Sequence, residues 1–289
     1  MANWYYPKGT TGQQGWSTVV GTTTPGWKHT GLRIAELDAN NNGLQLPAAS
    51  LERIVLPLAG AGQVTTSDRQ TLILAGRRDV WSGPAGVVYV GPGTGLVLEG
   101  EGRFALAEAP ATQARPAVRL EAQEVPVELR GAGAASREVR NFGVPGVLDA
   151  EAIIACEVVT PAGNWSSYPP HKHDEELVGR EAELEEIYYF ELRSTLPGVG
   201  DPLGYQRVSA SPGREIDLLA EVHDGDVVLV PFGWHGPSMA APGYDMYYLN
   251  VMAGPGRERA WRITDHPDHA WIRGTWDGQA VDPRLPFGR

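Results

Sequence analysis

What most limits the folds open to this chain is its punctuation. Glycine (36 residues) and proline (23 residues) recur through all 289 residues, between short apolar runs and not in low-complexity blocks. Long helices do not tolerate that spacing, because glycine adds backbone entropy and proline removes a hydrogen-bond donor. Short strands closed by tight turns do. In the first half the strand-like runs are 32–37, 52–58, 62–66, 70–74, 87–90, 96–99 and 102–108, with a turn over 38–43. They follow an aromatic, Gly- and Thr-rich arm over 4–31 that holds one strand at 17–20. Runs at intervals of roughly 8–12 residues predict an all-β sandwich or barrel.

The Ala/Pro-rich stretch 109–116 reads as a bridge, with short strands at 118–120 and 125–129 and a small-residue loop over 131–136. Beyond it the style repeats, with apolar or strand-like runs at 147–159, 187–192, 204–208, 215–219, 226–231 and 246–253. Segments 79–93 and 222–233 match in pattern: a turn, four strand residues, then a Pro/Gly corner. Two similar barrels are therefore expected, over 1–115 and 116–289.

Charged residues make up 20% and hydrophobic ones 42%, the balance of a globular protein. The net charge is −11, and Lys and Arg form no run, which argues against nucleic acid or an anionic membrane surface as partner. No apolar stretch approaches the length of a membrane span, and residues 1–7 carry neither a basic nor an apolar leader region. The lone cysteine, Cys156, sits in an apolar run and reads as a buried core residue. These features predict a cytoplasmic protein; they leave a homo-oligomer open.

One constellation departs from this ordinary background. His171 and His173 are separated by one residue, so a strand points both to the same face. Glu186 opens the next strand-like run, and His235 follows the corner Pro231-Phe232-Gly233. Each has an ordinary reading alone; together, three imidazoles and a carboxylate form an open shell for a divalent metal. Only the second half carries this set. The acidic insert 174–185 reads as a loop or one exposed helical turn. His29 and His223 lack partners in pattern, and His266 and His269 read as structural, packed on Trp271. There is no Walker-type phosphate loop and no Gly-x-Ser-x-Gly elbow.

His171-x-His173, Glu186, Gly225-Asp226 and Pro231-x-Gly233-x-His235 resemble the two motifs of the cupin superfamily. The longer segments 168–174, 184–190 and 243–255 resemble the 5-deoxy-glucuronate isomerase family of inositol catabolism, as do 128–141 and 265–271. That family is a sister of the 4-deoxy-uronate ketol-isomerases. The resemblance spans essentially the whole chain. It implies a bicupin of two jelly-roll-like barrels, the second bearing a metal on His171, His173, Glu186 and His235. Two departures stand out: the interval from His173 to Glu186 exceeds the general cupin pattern, and Trp234-His235-Gly236 replaces the commoner Tyr-His-Pro.

The implied reaction is aldose–ketose isomerisation of 5-deoxy-D-glucuronate, a sugar acid, to 5-dehydro-2-deoxy-D-gluconate. A divalent ion chelated by adjacent carbonyl and hydroxyl oxygens acidifies the intervening C–H bond. Zn²⁺ or Mn²⁺ suffices, and the ligand set does not exclude Fe²⁺. Proton carriers are sought among Glu175, Glu176, Lys172, Tyr188 and Tyr248, with Tyr248, Lys172 and Glu175 taken as the catalytic set. The substrate carboxylate calls for an arginine, with Arg137, Arg140 and Arg257 as candidates. The rival readings are an Fe²⁺ cupin dioxygenase and a non-enzymatic sugar-binding bicupin.

Overall fold

A computed structural model describes residues 3–40 and 43–288. Positions 41 and 42 of the expected turn over 38–43 lie outside the described residues, as do 1 and 2 of the amino-terminal stretch. The architecture is all-β as expected, and the helical pieces among the described residues are short 3₁₀ turns such as Val80–Ser82 and Ala270–Thr275.

The second half encloses its interior between two antiparallel sheets. One runs in the order Tyr5–Tyr6, Val227–Val230, Glu185–Ser194, Tyr244–Ala253, Ile154–Thr160, Arg137–Gly143, Val127–Arg130. The other runs Arg214–Val222, Gly204–Ser211, Trp234–Ala240, His171–Lys172, Thr264–Asp265, with Trp165–Ser166 also on Trp234–Ala240. The first half is one eight-stranded sheet centred on two long strands, Leu51–Thr66 and Leu96–Pro110.

Each half takes one strand from the other's stretch of sequence. Tyr5–Tyr6 pairs with Val227–Val228, and Val118–Leu120 pairs with Val87–Tyr89. The two receiving strands, Val87–Val90 and Val227–Val230, are those of the internal repeat, and each has a long core strand on its other side.

The runs 52–58 and 62–66 form one strand, as do 96–99 and 102–108. Glycine marks a close backbone approach here and not a turn. A Cβ on Gly60 would lie 1.9 Å from the Glu101 carbonyl oxygen, and one on Gly102 would lie 2.1 Å from that of Ala59. A register shift between Pro57 and Ala59 bends the pair at this point.

The strands Glu185–Ser194 and Tyr244–Ala253 are buried on both faces, which explains the apolar runs at 187–190 and 246–249. Ile187, Tyr189, Tyr247, Leu249 and Val251 pack in one cluster with Leu32, Ile54 and Leu56 of the first half. Tyr188, Phe190, Tyr248 and Met252 face the interior of the second half, with Val208 and Val222 of the opposing sheet. The first half thus covers the outer face of the sheet whose inner face builds the site. Cys156 is buried in that interior cluster, as its neighbours predicted.

Candidate active site

The His-x-His segment and the His235 corner come together because their strands pair: the Cα of His171 lies opposite that of His235. Glu186 arrives from the facing sheet, so the group forms between the two sheets. His173, Glu186 and His235 offer ligand atoms that all lie within 4.8 Å of one another, and all three side chains are buried. Glu186 Oε2 is 3.1 Å from His173 Nε2 and 3.2 Å from His235 Nε2. The His171 ring stands beside them, its centroid 4.5 Å from that of His235, outside the tight trio.

Each imidazole is oriented by its other nitrogen. Nδ1 of His171 contacts the Pro169 carbonyl at 3.2 Å, Nδ1 of His173 the Leu184 carbonyl at 3.0 Å, and Nδ1 of His235 the Gly233 carbonyl at 3.2 Å. A carbonyl oxygen only accepts, so each Nδ1 carries the hydrogen and each Nε2 of a neutral ring presents a lone pair. Backbone acceptors on all three rings are the arrangement that metal-ligating histidines show. His235 Nε2 is buried without a hydrogen-bond partner among the described residues, despite its closeness to Glu186. An orphaned buried nitrogen of this kind suits a metal ligand.

Ionisation follows the same geometry. Burial and the neighbouring rings of His235 and His173 push His171 well below the ordinary imidazole value. Burial also opposes the charged form of His173, but its bond to Glu186 outweighs this and holds it above that value. For Glu186, burial favours the acid, yet the two imidazoles prevail and bring it down to about 2. The carboxylate is therefore charged at neutral pH.

A cavity of about 420 Å³ opens beside this group, a volume suited to a small polar metabolite. His171, Glu186, Tyr188, Tyr248, Ser167 and Asn250 line it together with Arg130, Arg137, Asp265 and Arg273. Tyr188 and Tyr248 both project inward, and Ser167 Oγ lies 3.1 Å from each hydroxyl. Burial raises both phenols above their ordinary value.

Of the three expected catalytic residues, Tyr248 lines this cavity. Lys172 and Glu175 do not line the cavity. Alternation along the strand turns Lys172 away from its histidine neighbours. Its Nζ instead donates to Asp174 at 2.7 Å, Glu175 at 2.7 Å and Glu181 at 2.8 Å, and the carboxylates raise its pKa against the pull of burial. Glu176 lies outside the cavity as well. The acidic insert is a loop around a Leu177–Glu181 bridge, and Asp174 and Glu181 within it are buried.

Of the three arginines, only Arg137 reaches the cavity. Arg140 is fully buried elsewhere, bonded to Glu138 at 2.7 Å and to the Val80 carbonyl at 2.7 Å, and Arg257 is exposed. Burial brings the Arg137 guanidinium down to about 10; nearby Tyr248 resists, while Arg130 and Arg273 push the same way. His266 packs on Trp234 and His269, not on Trp271. His29 and His223 lie outside the site; the His29 amide donates to Glu185 and the His223 amide to Asp226.

Sequence reasoning missed Ser167, Asn250, Arg130, Asp265 and Arg273. The signal for Arg130 was present: pairing the strands on either side of the 131–136 loop sets it opposite Arg137. Nothing periodic marks Asp265 and Arg273, which lie on a two-residue strand and a short 3₁₀ turn near the carboxy terminus.

Comparison with known proteins adds three findings. The model of the KduI/IolB family matches residues 4–272. A 5-deoxy-glucuronate isomerase of Geobacillus kaustophilus is 37% identical over 275 residues, covering 94% of this chain and 96% of the relative. One from Bacillus subtilis is 36% identical, covering 74% and 78%. Among solved structures, an IolB-like protein from Salmonella typhimurium LT2 superposes with a TM-score of 0.83 at 34% identity, covering 94% of this chain and 99% of the other. Bacillus subtilis oxalate decarboxylase superposes at 0.60 with 12% identity, covering 100% and 88%, a likeness of bicupin fold alone.

Proposed function

The chain belongs to the KduI/IolB family, and we propose that it isomerises 5-deoxy-D-glucuronate to 5-dehydro-2-deoxy-D-gluconate with the help of a divalent metal. The observation that carries the metal is the orientation of three histidines by backbone carbonyls, with two Nε2 atoms converging on the Glu186 carboxylate. His171, His173, Glu186 and His235 would hold the ion, Zn²⁺ or Mn²⁺ by the mixed imidazole–carboxylate donor set. When bound, it would polarise the adjacent carbonyl and hydroxyl oxygens of the sugar.

The chain's own residues supply the rest. Isomerisation moves one hydrogen from C2 to C1 and one proton from the C2 hydroxyl to the C1 oxygen, with no net oxidation. Tyr188 and Tyr248 keep their protons at Oη, because burial raises both phenols, so they serve as donors to substrate oxygens. Ser167 Oγ, 3.1 Å from both hydroxyls, provides a path for a proton between them. Asn250 and Tyr188 lie opposite each other on paired strands and form one wall that excludes water.

The test is to incubate the purified chain with 5-deoxy-D-glucuronate, follow the ketose by NMR, and measure bound metal and oxygen uptake in the same sample. Ketose formation with no oxygen consumed supports the proposal. Oxygen uptake coupled to turnover overturns it in favour of a dioxygenase.

A further inference from the structure

The cavity lining also carries three guanidinium groups that the metal group does not use. Arg130 and Arg137 sit directly opposite each other on paired strands, so both point to the same side of the sheet. Like charges in that position repel, and Arg273 brings a third guanidinium to the same wall. Two of the three are neutralised: Arg130 bonds Glu128 at 2.7 and 2.9 Å, and Arg273 bonds Asp265 through both carboxylate oxygens.

Arg137 is not. It is 5% exposed and makes no ion pair among the described residues. Among the described residues its guanidinium makes one hydrogen bond, to the Ala135 carbonyl at 3.1 Å. The indole of Trp276 lies under it at 5.7 Å and under Arg273 at 5.4 Å, so one ring serves two cations. The chain also makes room for the group. Gly131 has φ +80°, and a Cβ there would meet Arg137 Nη1 at 2.8 Å. A buried guanidinium without a counter-ion is costly, and three cations against two carboxylates leave one positive charge facing the cavity.

Two apolar side chains of the lining, Val139 and Val158, adjoin the arginine strand. Val139 follows Arg137 on the same strand face, and Val158 is its cross-strand partner, next to Tyr248. We propose that Arg137 is the carboxylate-binding residue of the substrate site, which takes a sugar chain with an anion at one end and a carbonyl at the other. This rests on the isomerase reading for the carbonyl end only.

Titration calorimetry of the metal-loaded full chain against D-glucuronate and its uncharged amide tests the carboxylate subsite. The acid should bind about 10- to 100-fold more tightly than the amide. Arg137→Met should erase that preference with amide binding kept, and Arg137→Lys should retain part of it, which rules out misfolding as the cause. A preference that survives in Arg137→Met, or the lack of one in the unmodified chain, overturns the proposal. If the unmodified chain shows an Arg137-dependent preference yet forms no ketose from 5-deoxy-D-glucuronate, the isomerase reading fails and the subsite stands.

Discussion

Asp174 and Gly233 tie the two halves of the histidine group together. Asp174 Oδ2 accepts the Gly233 amide at 2.9 Å, and the Gly233 carbonyl in turn orients His235 Nδ1 at 3.2 Å. Asp174 follows His173 directly and is clamped by Lys172 and Ser211. Lys172, expected to be catalytic, thus bonds the carboxylate that also accepts from the corner carrying His235.

Replacing Asp174 with Ala should accordingly weaken metal binding without touching a ligand. Residues that orient ligands typically account for about 10- to 100-fold in affinity. Competition with a fluorescent chelator measures it, and a change below twofold would show that the corner holds its shape unaided. Lys172→Met should produce a loss in the same direction through Asp174.

How much of this was legible from the letters depends on what each residue answers to. The cluster of His171, His173, Glu186 and His235 was visible because strand periodicity and corner motifs act over short distances and leave fixed spacings. Lys172 and Glu175 were misplaced because proximity in sequence to two histidines says nothing about the opposite strand face. Arg137 was visible only as a type; that it alone lacks a carboxylate depends on Glu128 and on Asp265, far away in the chain. The strands 51–66 and 96–110 were split because glycine signals a turn and a close backbone approach with the same letter.

Metal removal should affect stability and not only turnover. A cation held at 100 times its Kd contributes about 2.7 kcal/mol to the folded state, so chelation should lower Tm and re-addition of Zn²⁺ or Mn²⁺ should restore it. Glu186→Gln should abolish most of the difference between loaded and stripped protein. His173 is held above the ordinary imidazole value by Glu186 when no metal is present, so binding displaces a proton and affinity should rise with pH through the imidazole range. A pH-independent affinity would count against His173 as a ligand.

Tyr248→Phe removes a buried donor while keeping the ring that packs on Tyr188 at 5.0 Å. If the phenol supplies a proton in the reaction, kcat should fall by roughly 100-fold or more, with metal affinity unchanged. Steady-state kinetics beside chelator competition separates the two. A variant with unaltered kcat would assign proton delivery to Tyr188 or Ser167.

The contact between the two halves sets the acid limit of the fold. Arg77, from the first half, bonds Glu157 of the second through both carboxylate oxygens, and Tyr247 donates to the same carboxylate at 2.8 Å. Burial favours the protonated form, but Arg77 and Arg140 outweigh it and hold Glu157 below the ordinary carboxylate value. A depressed folded pKa stabilises the protein above the unfolded value, about 4.3. That stabilisation disappears as pH falls toward the folded pKa. Glu157→Gln leaves Arg77 buried without a counter-ion, which costs about 3–5 kcal/mol at pH 7. The gap in Tm between the unmodified chain and the variant should be widest at neutral pH and narrow below about pH 4.3, as the unmodified carboxylate loses its advantage. Thermal unfolding followed by circular dichroism from pH 7 to pH 3.5 checks this, and a gap constant across that range would mean that the Glu157 charge does not join the two halves.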